Sequence, residues 1–85
     1  MDPYDIVLHP YVTEKTMNHM ENNNALEFIV RRKSTKQEIR QAIETMFETK
    51  VLSVNTKIEK TGKHALVRFA DDVNAEDIGM RIGIF

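Results

Sequence analysis

No cysteine occurs among the 85 residues, so neither a disulfide framework nor a thiolate metal site can form. That absence fits a reducing cytoplasm. No apolar stretch approaches the roughly 20 residues that cross a bilayer, so no membrane insertion is expected. The start, Met1-Asp2-Pro3-Tyr4-Asp5, has neither a basic region nor an apolar run and does not read as a signal peptide. The expectation is one soluble, cytoplasmic domain spanning residues 1–85, burying roughly 60–65% of its unfolded surface. Gly62, Gly79 and Gly83 are too scattered to cradle a phosphate, and no GxGxxG or Walker pattern occurs. His9, His19 and His64 lie far apart with no HxxxH or HExxH partner, so each is expected to be an isolated surface side chain. No pair of acids suggests a pocket. Ser34 reads as a cap or turn residue and Ser53 as a strand residue. Neither an enzyme, a metal site nor a cofactor is expected. There is no internal repeat and no low-complexity segment.

Charge, by contrast, is present and sorted. Between Arg31 and Arg68 stand ten Lys and Arg residues against Glu38, Glu44, Glu48 and Glu59, a block at +6. The remainder has Lys15 and Arg81 against nine acids, and the whole chain comes to −1. Cations gathered on one module can neutralise phosphates, a capacity that the overall charge conceals. The plainer reading is a solvated surface, and charge alone leaves both open.

Local patterns define the elements. Thr13 is placed to cap a helix, with Val12 and Met17 at hydrophobic-staple spacing and Met17 and Met20 facing inward. Asn22-Asn23-Asn24 ends it, because Asn favours turns and tolerates left-handed backbone. From Ala25 to Arg31, Leu26, Phe28 and Val30 alternate with Glu27, Ile29 and Arg31, as in a strand with one apolar face. Thr35-Lys36-Gln37-Glu38 is a capping box, followed by the stripe Ile39, Ala42, Ile43, Met46 and Phe47 of a core-facing helix. Val51 to Lys60 and Lys63 to Ala70 read as strands joined through Thr61-Gly62 in a tight hairpin. Leu52, Val54, Thr56 and Ile58 share one side of the first of these; Ala65, Val67 and Phe69 share one side of its partner. Val51 has the wrong parity, which predicts a bulge or fraying near the strand start. Asn74 caps a short last helix, and the terminal Ile84-Phe85 is expected to tuck against the core.

Helix, strand, helix, strand, strand, helix is the order of an α+β, ferredoxin-like split βαβ with an antiparallel or mixed sheet and helices on one face. The other face then shows Glu27, Ile29, Arg31, Ser53, Asn55, Lys57, Leu66 and Arg68. Sheets of this type that bind single-stranded RNA stack bases on strand aromatics. Here Phe28 and Phe69 fall on the helix-covered side, so base stacking on the strands is not expected. Recognition would rest on phosphate and sugar contacts that read RNA shape.

His9-Pro10-Tyr11-Val12-Thr13-Glu14-Lys15 resembles the opening box of a universal family, large-subunit ribosomal protein twenty-three, which sits on the rim of the peptide exit tunnel. Leu26-Glu27-Phe28-Ile29-Val30 is similar to its first strand, and Ser34-Thr35-Lys36-Gln37-Glu38-Ile39 to its helix opening. Val54-Asn55-Thr56 and Ala65-Leu66-Val67-Arg68-Phe69 resemble its later strands. Ile82-Gly83-Ile84-Phe85 resembles the archaeal ending. Glu59 to His64 leaves no room for the long basic hairpin loop of bacterial members, and the basic N-terminal extension of eukaryotic members is missing. The resemblance is therefore to the archaeal branch.

It implies a structural constituent of the large subunit that binds large-subunit rRNA. It also implies a neighbouring small ribosomal protein, the twenty-ninth of the series. The outer surface would dock signal recognition particle, the translocon or nascent-chain chaperones, with Glu14 matching the box glutamate used for docking in the bacterial branch. The expected rRNA contacts are His9, Lys15, Lys36, Arg40, Asn55, Thr56, Lys57, Lys63 and Arg68, with Arg31, Arg32 and Lys33 as a basic turn. Acids outside the basic block would face solvent and factors, since phosphate repels them. The competing reading is a small ferredoxin-like interaction or regulatory module, in which Ile29 and Leu66 seat a partner.

Overall fold

The structure is a computed structural model and describes residues 2–83. In chain order its elements are α1 (Pro3–Ile6), β1 (Val7–Pro10), α2 (Glu14–Asn23), β2 (Ala25–Val30), α3 (Lys36–Phe47), β3 (Val51–Glu59), β4 (Gly62–Phe69) and α4 (Ala75–Arg81). The terminal Ile84-Phe85 lies outside the described residues, and so does its expected packing.

Both capping motifs form. Thr13 Oγ1 accepts from the Thr16 N–H at 3.2 Å, and Thr16 Oγ1 accepts from the Thr13 N–H at 2.7 Å. Thr35 and Glu38 make the same reciprocal pair at the start of α3. α2 ends at Asn24, whose φ of 54° is left-handed. Its side chain does more than end a helix. Nδ2 donates to the Val73 carbonyl at 2.7 Å and Oδ1 accepts from the Ala75 N–H at 2.9 Å, tying the entry of β2 to the first turn of α4.

The sheet order is β1-β2-β4-β3, antiparallel throughout. β2 and β3 run in the same direction with β4 between them, and α3 is the crossover. That is the expected split βαβ in an α+β fold. α1 and β1 are additions to the expected order. Each is four residues long, too short for a hydrophobic period, and the register of β1 breaks between Val7 and His9.

Ile39, Ala42, Ile43 and Phe47 of α3 are buried against Leu26, Phe28, Val30, Val67 and Phe69. The rings of Phe28 and Phe47 stack with centroids 6.2 Å apart. The expected bulge is present: Val51 pairs with Phe69 and Ser53 with Arg68, so one extra residue intervenes. That residue is Leu52. The bulge puts Val51 in the core and leaves Leu52 51% exposed, correcting the expected inward place of Leu52. Glu59 pairs with Gly62 across a turn of Lys60 and Thr61. Gly62 holds a φ of +128°, where a side chain would be strained. Among the described residues no helix is long and apolar enough to cross a membrane.

Candidate nucleic-acid interface

Register decides what the sheet face away from α3 presents. Ser53 pairs with Arg68, Asn55 with Leu66 and Lys57 with His64; across β4, Leu66 pairs with Glu27 and His64 with Ile29. Directly paired residues share a face, so Asn55, Lys57, Leu66 and Arg68 stand together as the alternation predicts. His9 pairs with Ile29 and joins the rim of this face. Thr56 pairs with Ala65 and so belongs to the α3 side, although on an edge strand it still borders the recess described below.

This face is not open everywhere. Glu27 and Ile29, expected to be exposed, are only 7% and 6% accessible. Tyr11 lies beside Glu27. Its N–H donates to the Glu27 carbonyl at 2.9 Å, and its ring packs edge-on against His64 with centroids 4.5 Å apart. His64 is itself buried, which corrects its expected surface position. Its Nδ1 lies 2.7 Å from Glu27 Oε2, and its Nε2 is bonded to the Thr61 hydroxyl and lies 3.4 Å from Glu59 Oε1. A carboxylate only accepts, so Nδ1 carries the proton toward Glu27.

Glu27, Glu59 and His64 bring potential ligand atoms within 4.8 Å of one another. The two carboxylates, however, address opposite nitrogens of one ring. An ion gathering all three would have to break the existing bonds. As it stands, the cluster is a buried hydrogen-bonded pair with a flanking acid.

Lys15 and His19, four residues apart on one face of α2, complete the arrangement. With Glu27, Asn55, Thr56, Lys57, His64 and Leu66 they enclose a recess of about 130 Å³. Its floor is β2 and β4, one wall is β3 and the other is α2. Lys15 of α2 is thus brought to Asn55 and Lys57, which the alternation of β3 already places on one face. His19 was missed, because strand parity says nothing about a helix leaning over the sheet. Lys57 also makes an exposed ion pair with Glu59 at 3.6 Å, of the kind worth less than about 1 kcal/mol.

The other predicted cations divide in two. Arg31, Arg32, Lys33 and Lys36 are exposed around the turn into α3, and Arg31 and Lys33 line a second recess there with Glu38. Glu38 is held below the ordinary carboxyl value of 4.5, first by the Thr35 N–H and then by the Thr35 side chain. Arg40 and Lys63 instead work inside the fold. Arg40 donates to the carbonyls of Val51 and Leu52, holding the bulge, and Lys63 donates to the Ser34 carbonyl. Arg68 is exposed but borders a wide recess of about 520 Å³ together with Glu21, Asp71, Asp72 and Glu76. Glu14 is exposed in the first turn of α2.

Comparison with known proteins finds a matching family. The family model described as Ribosomal protein L23 matches residues 5–78. The chain is 46% identical to the large ribosomal subunit protein uL23 of Methanothermobacter thermautotrophicus, over the whole of both chains. It is 47% identical to that of Picrophilus torridus, over 95% of this chain and 99% of the relative. It is 41% identical to that of Methanosphaera stadtmanae, again over the whole of both. With the sheet, its capped helices and its ordered motifs in place, the chain belongs to the ribosomal protein L23 family, in its archaeal branch.

Proposed function

We propose that this chain is a structural, non-enzymatic constituent of the large ribosomal subunit, acting over residues 1–85 as one rRNA-binding domain. Its rRNA contacts come from two surfaces. One is the recess face with Lys15, Asn55 and Lys57; the other is the basic turn of Arg31, Arg32, Lys33 and Lys36. The convergence of Lys15 from α2 with Asn55 and Lys57 from β3 onto one recess carries this reading. Lysine heads on its rim meet phosphates, while Asn55 offers a donor and an acceptor to sugar or base. A ribosome-bound, cytoplasmic location near the peptide exit tunnel follows.

Glu14 and the acids of the α4 region, Asp71, Asp72, Glu76 and Asp77, repel phosphate. They offer a surface to the neighbouring twenty-ninth protein of the series and to signal recognition particle, the translocon or nascent-chain chaperones. The interaction-module alternative relied on Ile29 and Leu66 as a seat for a partner. Ile29 is buried by this chain itself, which removes half of that seat.

Sedimentation of a tagged copy from its native cell through a salt-washed sucrose gradient tests the reading. Co-migration with the large subunit at high salt is expected, and a Lys15→Glu/Lys57→Glu variant is expected to shift toward the top. A wild-type pool that stays free of the large subunit would overturn it.

A further inference from the structure

We propose that the recess between α2 and β3 is a nucleobase pocket that takes one unpaired cytosine of the bound RNA. The proposal rests on the rRNA-binding reading and adds to it a specific base contact. Size is the first argument. An apolar cavity of about 150 Å³ accepts one benzene ring, and this recess, at about 130 Å³, suits a single six-membered ring rather than a purine.

Chemistry is the second argument. The floor joins the half-buried Leu66, an apolar surface for a ring, to the Glu27 carboxylate, which His64 fixes through Oε2 at 2.7 Å. A fixed anion on the floor disfavours a phosphate there, while Lys15 and Lys57 on the rim favour phosphates on either side. The combination fits a nucleotide with its base inward. Glutamate accepts from the exocyclic amine of cytosine, whereas uracil presents a carbonyl oxygen at that position and would face another acceptor. Asn55 is exposed at the edge, where its side-chain N–H can donate to the N3 or O2 acceptor that cytosine keeps. His19 supplies the stacking surface that the strands lack. Its ring orientation is set by a 2.9 Å hydrogen bond between Nδ1 and Asn23 Nδ2.

The test is an NMR titration of the ¹⁵N-labelled full chain with cytidine and uridine monophosphates. The expected result is movement of the amides of Asn55, Thr56, Lys57 and Leu66, with CMP bound about fivefold or more tightly than UMP. Asn55→Ala, at an exposed position, is expected to weaken CMP several-fold with the spectrum otherwise retained. Glu27→Gln is expected to erase the preference for CMP. Equal affinities, shifts confined to the Arg31–Lys36 turn, or no shift at the recess at millimolar nucleotide would overturn the pocket. Salt-dependent binding of the same sample to large-subunit rRNA reports on the parent reading separately. If that binding persists without a cytosine preference, only the pocket fails.

Discussion

His64 shows how much one side chain can fix. It sits on the inner strand β4, and its ring links Glu27 on β2, the Thr61 hydroxyl in the hairpin and the Tyr11 ring. Removing it leaves the Glu27 carboxylate buried without its partner, and breaking a buried pair in this way costs about 3–5 kcal/mol. His64→Ala is therefore expected to lower the urea midpoint strongly at unchanged slope, while a Glu27→Leu/His64→Leu pair recovers much of the loss. A His64→Ala chain as stable as wild type would mean that the pair contributes little. None of this was legible in the sequence, where the two partners stand 37 residues apart. Strand alternation puts His64 on the face of Leu66 but does not say whether that position is covered. Tyr11, which packs against its ring, comes from a segment with no periodic signal.

Elements are legible where their signals are local. Both capping boxes complete within four residues, so the starts of α2 and α3 could be read directly. Asn24 was legible only as a helix end; its bonds to Val73 and Ala75 close a gap of some fifty residues. Two substitutions separate these roles. Asn24→Gly keeps the left-handed backbone and loses the side-chain bonds, while Asn24→Ala loses both. Thermal or urea unfolding is expected to show Ala less stable than Gly by about 1 kcal/mol. Equal stabilities would place the whole effect in the side-chain bonds.

At the start of α3, the lowered value of Glu38 means that the folded chain takes up this proton less readily than the unfolded chain. Its stabilising contribution is complete above the ordinary value of 4.5 and fades as pH falls through the lower folded value. Glu38→Gln, which preserves a capping side chain, is expected to flatten the acid limb of stability against pH. Parallel acid limbs for the two chains would contradict this.

For the molecule as a whole, the linear separation of charge becomes a spatial one only in part. Arg40 and Lys63 belong to the basic block by sequence, yet the bulge at Val51 and the Ser34 carbonyl hold them inside the fold. Arg68 shares a recess with Asp71, Asp72 and Glu76, which follow it in the chain, and with Glu21 of α2. Under the proposed reading, the predicted cationic contacts left for phosphates are Lys15, Arg32, Lys33, Lys36 and Lys57, with Arg31 beside them. Five phosphate contacts give a log–log salt slope of about −3.5 to −4.5 for RNA association. Lys57→Gln is then expected to reduce the magnitude of that slope by about one. Arg68→Gln is expected to change it less, since the surrounding acids already offset that charge. Arg40→Gln is expected to lower stability through the bulge while leaving the slope in place. Equal losses of slope at Lys57, Arg68 and Arg40 would show that binding follows net charge alone, and would contradict an interface organised around the recess and the basic turn.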